Sequence, residues 1–297
     1  MTARNPWYRL GTFRAALRLA HMLPRDVSQE IAGALGRASH SWNKTAREAL
    51  RENLAQVTGK WGNDLDELCR ENFANFVKML ADYFYCTVAE PAQIRPLIEQ
   101  WRGFEHLEAA RARGKGGLLV TAHLGSWELG GMVLALDGVP LTVVTLEEPT
   151  TELTRWRESY RRRLGVKTVA VGSDPFSLVG IISALRRNEF VAMLVDRPYA
   201  NSGVPVRLFS RDTLFSTAPA LIHQHTDAAV LPAFVLQTIT GRYASLIQPP
   251  VEMAREPASA AANAQRIAAV FESTIRAHPE QWYNYVPVWS EQATAER

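Results

Sequence analysis

The sequence predicts an α/β fold, with a helical N-terminal region followed by a mostly parallel or mixed sheet flanked by helices. Three observations carry this. The first hundred residues place apolar side chains at three- and four-residue steps, the period of helices with one buried face. From about Trp101 onward, short apolar runs alternate with amphipathic stretches, the pattern of strands joined by crossover helices. At 297 residues, the chain is long enough for one large core with a helical extension.

Composition narrows the class. A hydrophobic share of 47% and a charged share of 21% are ordinary for a folded globular chain. A net charge of +3, without any nucleic-acid-binding motif, predicts no nucleic acid partner. The two cysteines, Cys69 and Cys86, fall inside one helical pattern and form neither a disulfide framework nor a zinc pattern. They are expected as buried thiols. No apolar run reaches eighteen residues, so no transmembrane helix is expected. The first apolar stretch is broken by arginines and lacks a small-residue cleavage site, so no signal peptide is expected either.

The elements follow in order. Residues 1–25 predict a basic amphipathic helix. Trp7, Leu10, Phe13, Leu17 and Ala20 line one face, Arg4, Arg9, Arg14, Arg18 and Arg25 flank it, and no acid precedes Asp26. Such a helix either lies in a membrane interface or docks on the core with a solvated basic face. Residues 26–100 predict a helical region packed on the core, with helices near 27–39, 44–57 and 64–86. In the last of these Cys69, Phe73, Phe76, Leu80 and Phe84 recur at helical spacing, a stripe that reads as core and could also line an acyl-chain groove. Residues 101–290 predict the catalytic core. It begins with a helix at 104–113, a strand at 117–122, a helix from 127 to about 137 and a strand at 141–146. A helix at 152–164, a strand at 167–171, a helix at 175–187 and a strand at 190–195 follow. A loop then runs to about 213, followed by a helix at 214–225, strands at 229–236 and 243–251, and a helix at 258–277. Residues 291–297 read as a frayed tail.

The chemistry concentrates in GGLLVTAHLGSWELGG, 116–131. His123 follows an apolar strand, Gly125 and Ser126 supply turn residues, and Trp127 opens a helical pattern. His123 and Glu128 are five residues apart. On one continuous helix they would lie about 140° apart and could not meet. A strand–turn–helix lets them face each other across the turn, so the spacing predicts a base-and-orienter pair. A neutral imidazole can take a proton from an attacking hydroxyl, which contributes roughly 10²–10⁴-fold, and a carboxylate can hold its tautomer. Ser126 reads as the helix N-cap. No G-x-S-x-G elbow is present, so no nucleophile completes a triad, and the pair suits direct attack by a substrate hydroxyl. Of the other histidines, His21, His40, His106 and His278 read as structural or exposed. His223 and His225 lack further ligands at metal spacing, so no metal and no cofactor is expected.

These residues resemble a family. GKGGLLVTAHLGSWELGG is similar to the His-x4-Asp/Glu motif of the lysophospholipid acyltransferase superfamily, and more narrowly to the lipid A biosynthesis lauroyl/myristoyl acyltransferases. REALRENLAQV at 47–57 and NFANFVKMLADYF at 72–84 resemble that family's helical N-terminal region. FVAMLVDRPYANSGVPVRLF, STAPALIHQHTDAAVLPAFV and PEQWYNYVPVW resemble its later strands, loops and terminus, so the resemblance runs over nearly the whole chain.

The resemblance implies acyl transfer from a thioester, on acyl carrier protein or coenzyme A, to a hydroxyl of a membrane saccharolipid, most of all a lipid A precursor. It implies His123 as base and Glu128 as its partner. Asp196, Arg161 and Arg163 would serve the substrate, the two arginines holding an anionic acceptor group, and Ser126 joins the substrate-binding candidates. It also implies a peripheral or monotopic place at the cytoplasmic face of the inner membrane, with the basic helix at 1–25 on the membrane surface. The terminus departs from the lipid A pattern: where a second Trp and basic residues are common, this chain has Tyr283-Asn284-Tyr285-Val286-Pro287-Val288. Another glycolipid or amino-lipid acceptor, and a thioesterase-type hydrolase, remain as alternatives.

Overall fold

The computed structural model describes residues 22–148, 150–171, 177–198 and 203–289, together with residues 11, 17 and 18. Most of the basic helix predicted at 1–25, and the tail at 291–297, lie outside them. Three long helices come first: α1 (Arg25–Trp42), α2 (Lys44–Thr58) and α3 (Gly62–Val88). Asn43 caps α2 by accepting from the Ala46 amide, and Gly59, at φ +68°, ends it in the left-handed conformation a helix C-terminus favours. α1 lies tightly on α3. A Cβ on Gly36 would sit 2.5 Å from the Ala74 Cα, so only glycine lets the two backbones approach this closely.

The chain then becomes α/β. A seven-stranded sheet has the order β1-β9-β8-β2-β5-β3-β4. Its strands are β1 (Ile98–Arg102), β2 (Gly117–Thr121), β3 (Leu141–Leu146), β4 (Lys167–Val171), β5 (Phe190–Leu194), β8 (Ala229–Gln237) and β9 (Tyr243–Ile247). Between them run α4 (Phe104–Ala112), α5 (Trp127–Leu136), α6 (Thr151–Arg163), α7 (Ser177–Arg186) and α8 (Ala218–Thr226), with α9 (Ala260–Ala277) last. β8, β2, β5, β3 and β4 are parallel; β9 turns back antiparallel to β8 and β1 runs beside it. β2 is buried along its whole length at the centre, as expected of a parallel strand covered on both faces.

Three strands and the start of one helix differ from the sequence reading. β1 was not expected: only Ile98 of its five residues is buried, so it carries no alternating signal. The loop expected up to 213 holds a hairpin, β6 (Gly203–Leu208) and β7 (Arg211–Ser216), and α8 starts at Ala218 rather than 214. The hairpin turn is Phe209-Ser210, at φ +50° and +65°, a tight turn made without the Asn-Gly or Asp-Gly that would announce it. Side chains of α9 hold its backbone: the Phe209 amide donates to the Glu272 carboxylate at 2.6 Å, and the Gln265 side chain accepts from the Arg207 amide and donates to its carbonyl.

The main core joins α2 and α3 to one face of the sheet through Leu50, Leu54, Phe73, Leu118, Phe234 and Phe271. No helix among the described residues is long and apolar enough to cross a membrane.

Candidate active site

The register of two central strands builds the site. β2 pairs with β5 in parallel, Gly117 opposite Phe190 through Thr121 opposite Leu194. The ladder continues as the Val195 amide donates to the Thr121 carbonyl at 3.0 Å. Two residues farther along, the same offset brings His123 opposite Asp196. The Asp196 Oδ2 accepts the His123 backbone amide at 3.0 Å, and Oδ1 lies 2.8 Å from the His123 Nδ1. An ionised carboxylate only accepts, so Nδ1 donates to Asp196 and Nε2 is the ring nitrogen left facing outward. The imidazole is 26% exposed while the Asp196 side chain is 2% exposed, so the ring is open at the surface and its partner is sealed behind it.

Strand, turn and helix follow each other as the His–Glu spacing requires. The Leu124 amide folds back to the Ala122 carbonyl at 2.7 Å, Gly125 takes φ +65°, and α5 starts at Trp127. Gly125 is needed there: a Cβ would fall 2.0 Å from the Val235 carbonyl oxygen. Ser126 stands at the N-cap position, but its hydroxyl makes no capping bond. Its φ and ψ of −110° and 72° lie outside the extended cap geometry, and its amide is spent on the Val235 carbonyl at 2.7 Å.

The partner expected for His123 is corrected. No hydrogen bond or ion pair among the described residues joins His123 to Glu128. Instead Glu128 accepts from the Arg161 Nη2 at 2.5 Å, the Arg161 Nε at 3.3 Å and the Tyr160 hydroxyl at 3.0 Å. The reason is electrostatic. Burial would push the Glu128 carboxyl up, and the adjoining guanidinium of Arg161 with its hydrogen bonds reverses this and holds it low. Arg161 thus serves Glu128, with its own pKa raised by it against the opposing effect of burial. Arg163 points its guanidinium at the end of α3, donating to the Thr87 carbonyl at 2.7 Å and to those of Cys86 and Ala89 at 3.4 Å. The described bonds of both arginines expected at an anionic acceptor go to protein groups.

Burial alone would raise the Asp196 carboxyl. The His123 charge and hydrogen bond, then the Arg197 charge, outweigh burial and hold its pKa at about 2. It therefore stays a carboxylate throughout the neutral range.

A C-terminal strap, 279–289, crosses the His123 turn. The Tyr283 amide donates to the His123 carbonyl at 2.7 Å, and the Gly125 amide donates to the Gln281 carbonyl at 3.0 Å. Trp127 meets the His123 ring edge-on at 5.6 Å and Tyr283 lies behind it at 6.5 Å. Asparagines of the helical region hold the strap. Asn72 donates to the Trp282 and Pro279 carbonyls and accepts from the Tyr285 hydroxyl, and Asn53 donates to the Asn284 and Val286 carbonyls. Sequence reasoning treated Asn284, Tyr160 and Arg197 as neighbours only. The one signal for Asn284 was that it stands where the chain leaves the lipid A pattern.

Under α5 runs a narrow apolar crevice lined by Thr121, Trp127, Gly130, Gly131, Ala192 and Val235 among others, with about 50 Å³ of internal space. Among the described residues no three His, Cys, Asp or Glu gather to hold a metal ion. His223 instead bonds the Ala228 carbonyl through Nδ1 at 2.8 Å.

Residues 7–290 match the family model for bacterial lipid A biosynthesis acyltransferases. A phosphatidylinositol mannoside acyltransferase of Mycolicibacterium smegmatis is 26% identical over 289 residues, covering 96% of this chain and 92% of that protein. The protein of the same name from Mycobacterium tuberculosis is 29% identical over 248 residues, covering 82% and 77%. A lipid A biosynthesis acyltransferase of Haemophilus influenzae is 29% identical over 282 residues, covering 92% and 84%.

Proposed function

The chain belongs to the bacterial lipid A biosynthesis acyltransferase family, and from that premise we propose that it moves a fatty acyl group from a thioester to a hydroxyl of a membrane glycolipid, with His123 as general base. The donor is an acyl carrier protein or coenzyme A thioester. The acceptor is a sugar lipid, with a lipid A precursor the first to try and a mannosylated phosphoinositide the second, as the relatives' names suggest. The enzyme works from the cytoplasmic face of the inner membrane, held there peripherally.

One observation carries the chemistry: the His123 Nδ1 bonded to buried Asp196 at 2.8 Å, at the carboxyl ends of two parallel strands, on a ring that stays accessible. Ligand sites in open α/β sheets gather at such strand ends. The Nε2 lone pair takes the acceptor hydroxyl's proton as that oxygen attacks the thioester carbonyl. The tetrahedral adduct then collapses, the C–S bond breaks, and the imidazolium returns the proton to the leaving thiolate. Asp196, ionised throughout, stabilises the transient imidazolium. Glu128 enters this scheme through Arg161, as a second charged pair beside the same turn. The crevice under α5 begins at Thr121, two residues before His123, and its glycines leave an apolar path for the acyl chain. Its 50 Å³ is a third of the roughly 150 Å³ that admits benzene, so an acyl chain enters only as Trp127 or its neighbours give way.

His123→Ala tests the reading. The variant is expected to keep its circular dichroism and melting profile and to lose acyl transfer by at least about 10²-fold. Transfer at wild-type rate in the variant overturns the assignment. Fatty acid release that is fast and indifferent to added glycolipid overturns the transferase reading in favour of hydrolysis.

A further inference from the structure

We infer that Asn284 is a positioning residue that keeps Arg197 off Asp196, so that Asp196 remains the partner of His123; the inference rests on the assignment of His123 as base. Asn284 is 1% exposed and lies in the strap, between a guanidinium and a carboxylate. Its Oδ1 accepts from the Arg197 Nε at 2.7 Å and also from Nη2. Its Nδ2 faces the Asp196 Oδ2 at 3.4 Å. The amide can sit only this way round. A guanidinium has no acceptor and an ionised carboxylate has no donor, so oxygen must face Arg197 and nitrogen must face Asp196. A carboxamide is the side chain of this size that meets both demands at once.

Without it, the neighbours would meet. Arg197 follows Asp196 directly in the chain, and its charge already acts on that carboxylate. A bidentate guanidinium–carboxylate pair is stronger than a single imidazole bond. It would claim the oxygens that now accept the His123 Nδ1 and backbone amide, and it would neutralise the charge that steadies the imidazolium. Asn284 removes that competitor by giving Arg197 another acceptor, and the Tyr283 carbonyl takes a further Nη2 hydrogen at 3.1 Å. The strap holds the amide in place: its own carbonyl accepts from Asn53 at 2.8 Å and its amide N–H donates to the Trp282 carbonyl at 3.1 Å. Among the described residues, the charged and titratable groups acting on Asp196 are His123 from the β2 turn and Arg197 beside it, and Tyr283 of the strap is bonded to both through its backbone. Burial pushes the Tyr283 phenol well up, so it stays neutral. Glu280, farther back, faces His278.

The test reads His123 rather than folding. In Asn284→Ala the acid limb of the kcat/KM–pH profile is expected to move to lower pH and kcat to fall by about tenfold or more. The wild-type enzyme is expected to show a downfield Nδ1 proton of His123 by NMR, and the variant is expected to lose it. Adding Arg197→Met to Asn284→Ala is expected to bring the limb back up and return the proton signal. If Asn284→Ala does not fold, Asn284→Asp takes its place. It is isosteric and still binds Arg197, but it sets a second carboxylate beside Asp196, so the limb is expected to move to higher pH. An acid limb and Nδ1 signal unchanged in the folded variant overturn the inference. The NMR arm needs no turnover. Should the wild-type enzyme transfer no acyl group, the Nδ1 signal still decides the spacer role separately from the proposed reaction.

Discussion

At the scale of residues, the contact that matters most joins positions 73 apart, His123 and Asp196. Its stability effect follows from the depressed Asp196 pKa. The folded carboxyl titrates at about 2 against 3.8 for an unperturbed one. The stabilisation is therefore complete above pH 4 or so and is lost as pH falls toward about 2, amounting to about 2 kcal/mol. Urea unfolding measured at about pH 5 and about pH 2.5 should show this loss in the wild type and a smaller one in Asp196→Asn. A pH-independent difference between the two proteins would contradict it. The sequence made His123 legible, because a histidine between an apolar strand and a Gly-Ser turn is chemically exposed. It could not make its partner legible. Glu128 was near in sequence, while the register of β2 on β5 is a long-range fact that no local pattern carries.

At the scale of elements, the Glu128–Arg161 pair ties the first turn of α5 to the last turn of α6. Both side chains are largely hidden, at 16% and 4% exposure. Losing one member of such a pair strands the other charge, which costs about 3–5 kcal/mol. Glu128→Gln is expected to lower unfolding free energy by that order, and adding Arg161→Met is expected to recover most of it. Denaturant titration of the single and double variants checks this. Additive losses would show that the two charges do not act as a pair. Most helices and parallel strands were legible from period and turn chemistry. β1 and the β6–β7 hairpin were not. The first is an exposed edge with one buried residue. The second turns on Phe209-Ser210, where surrounding packing, rather than a glycine, holds the left-handed backbone.

At the scale of the whole molecule, the helical region and the strand-end site meet through the strap. Asn72, fully buried on α3, satisfies two strap carbonyls and the Tyr285 hydroxyl. Asn72→Leu takes the acceptor from the Tyr285 hydroxyl and leaves each of the two carbonyls with its backbone donor alone, and a buried unsatisfied polar group costs about 1–3 kcal/mol. We expect a lower melting temperature together with a fall in turnover at temperatures where the variant is still folded, because Tyr283 and Gln281 hold the His123 turn. Unchanged turnover in the folded variant would show that the strap acts on stability alone. The α/β class and the helical N-terminal region were plain from composition and alternation, but which asparagines would join the two was not, since Asn53 and Asn72 sit in helical patterns like any polar residue. The strap also has a consequence for the order of synthesis. Residues 279–289 come after every strand of the sheet in chain order, and until they dock neither the His123 carbonyl nor the Gly125 amide has its partner. The His123 turn is therefore completed only after β9 and α9 have been synthesised, however early β2 and β5 pair.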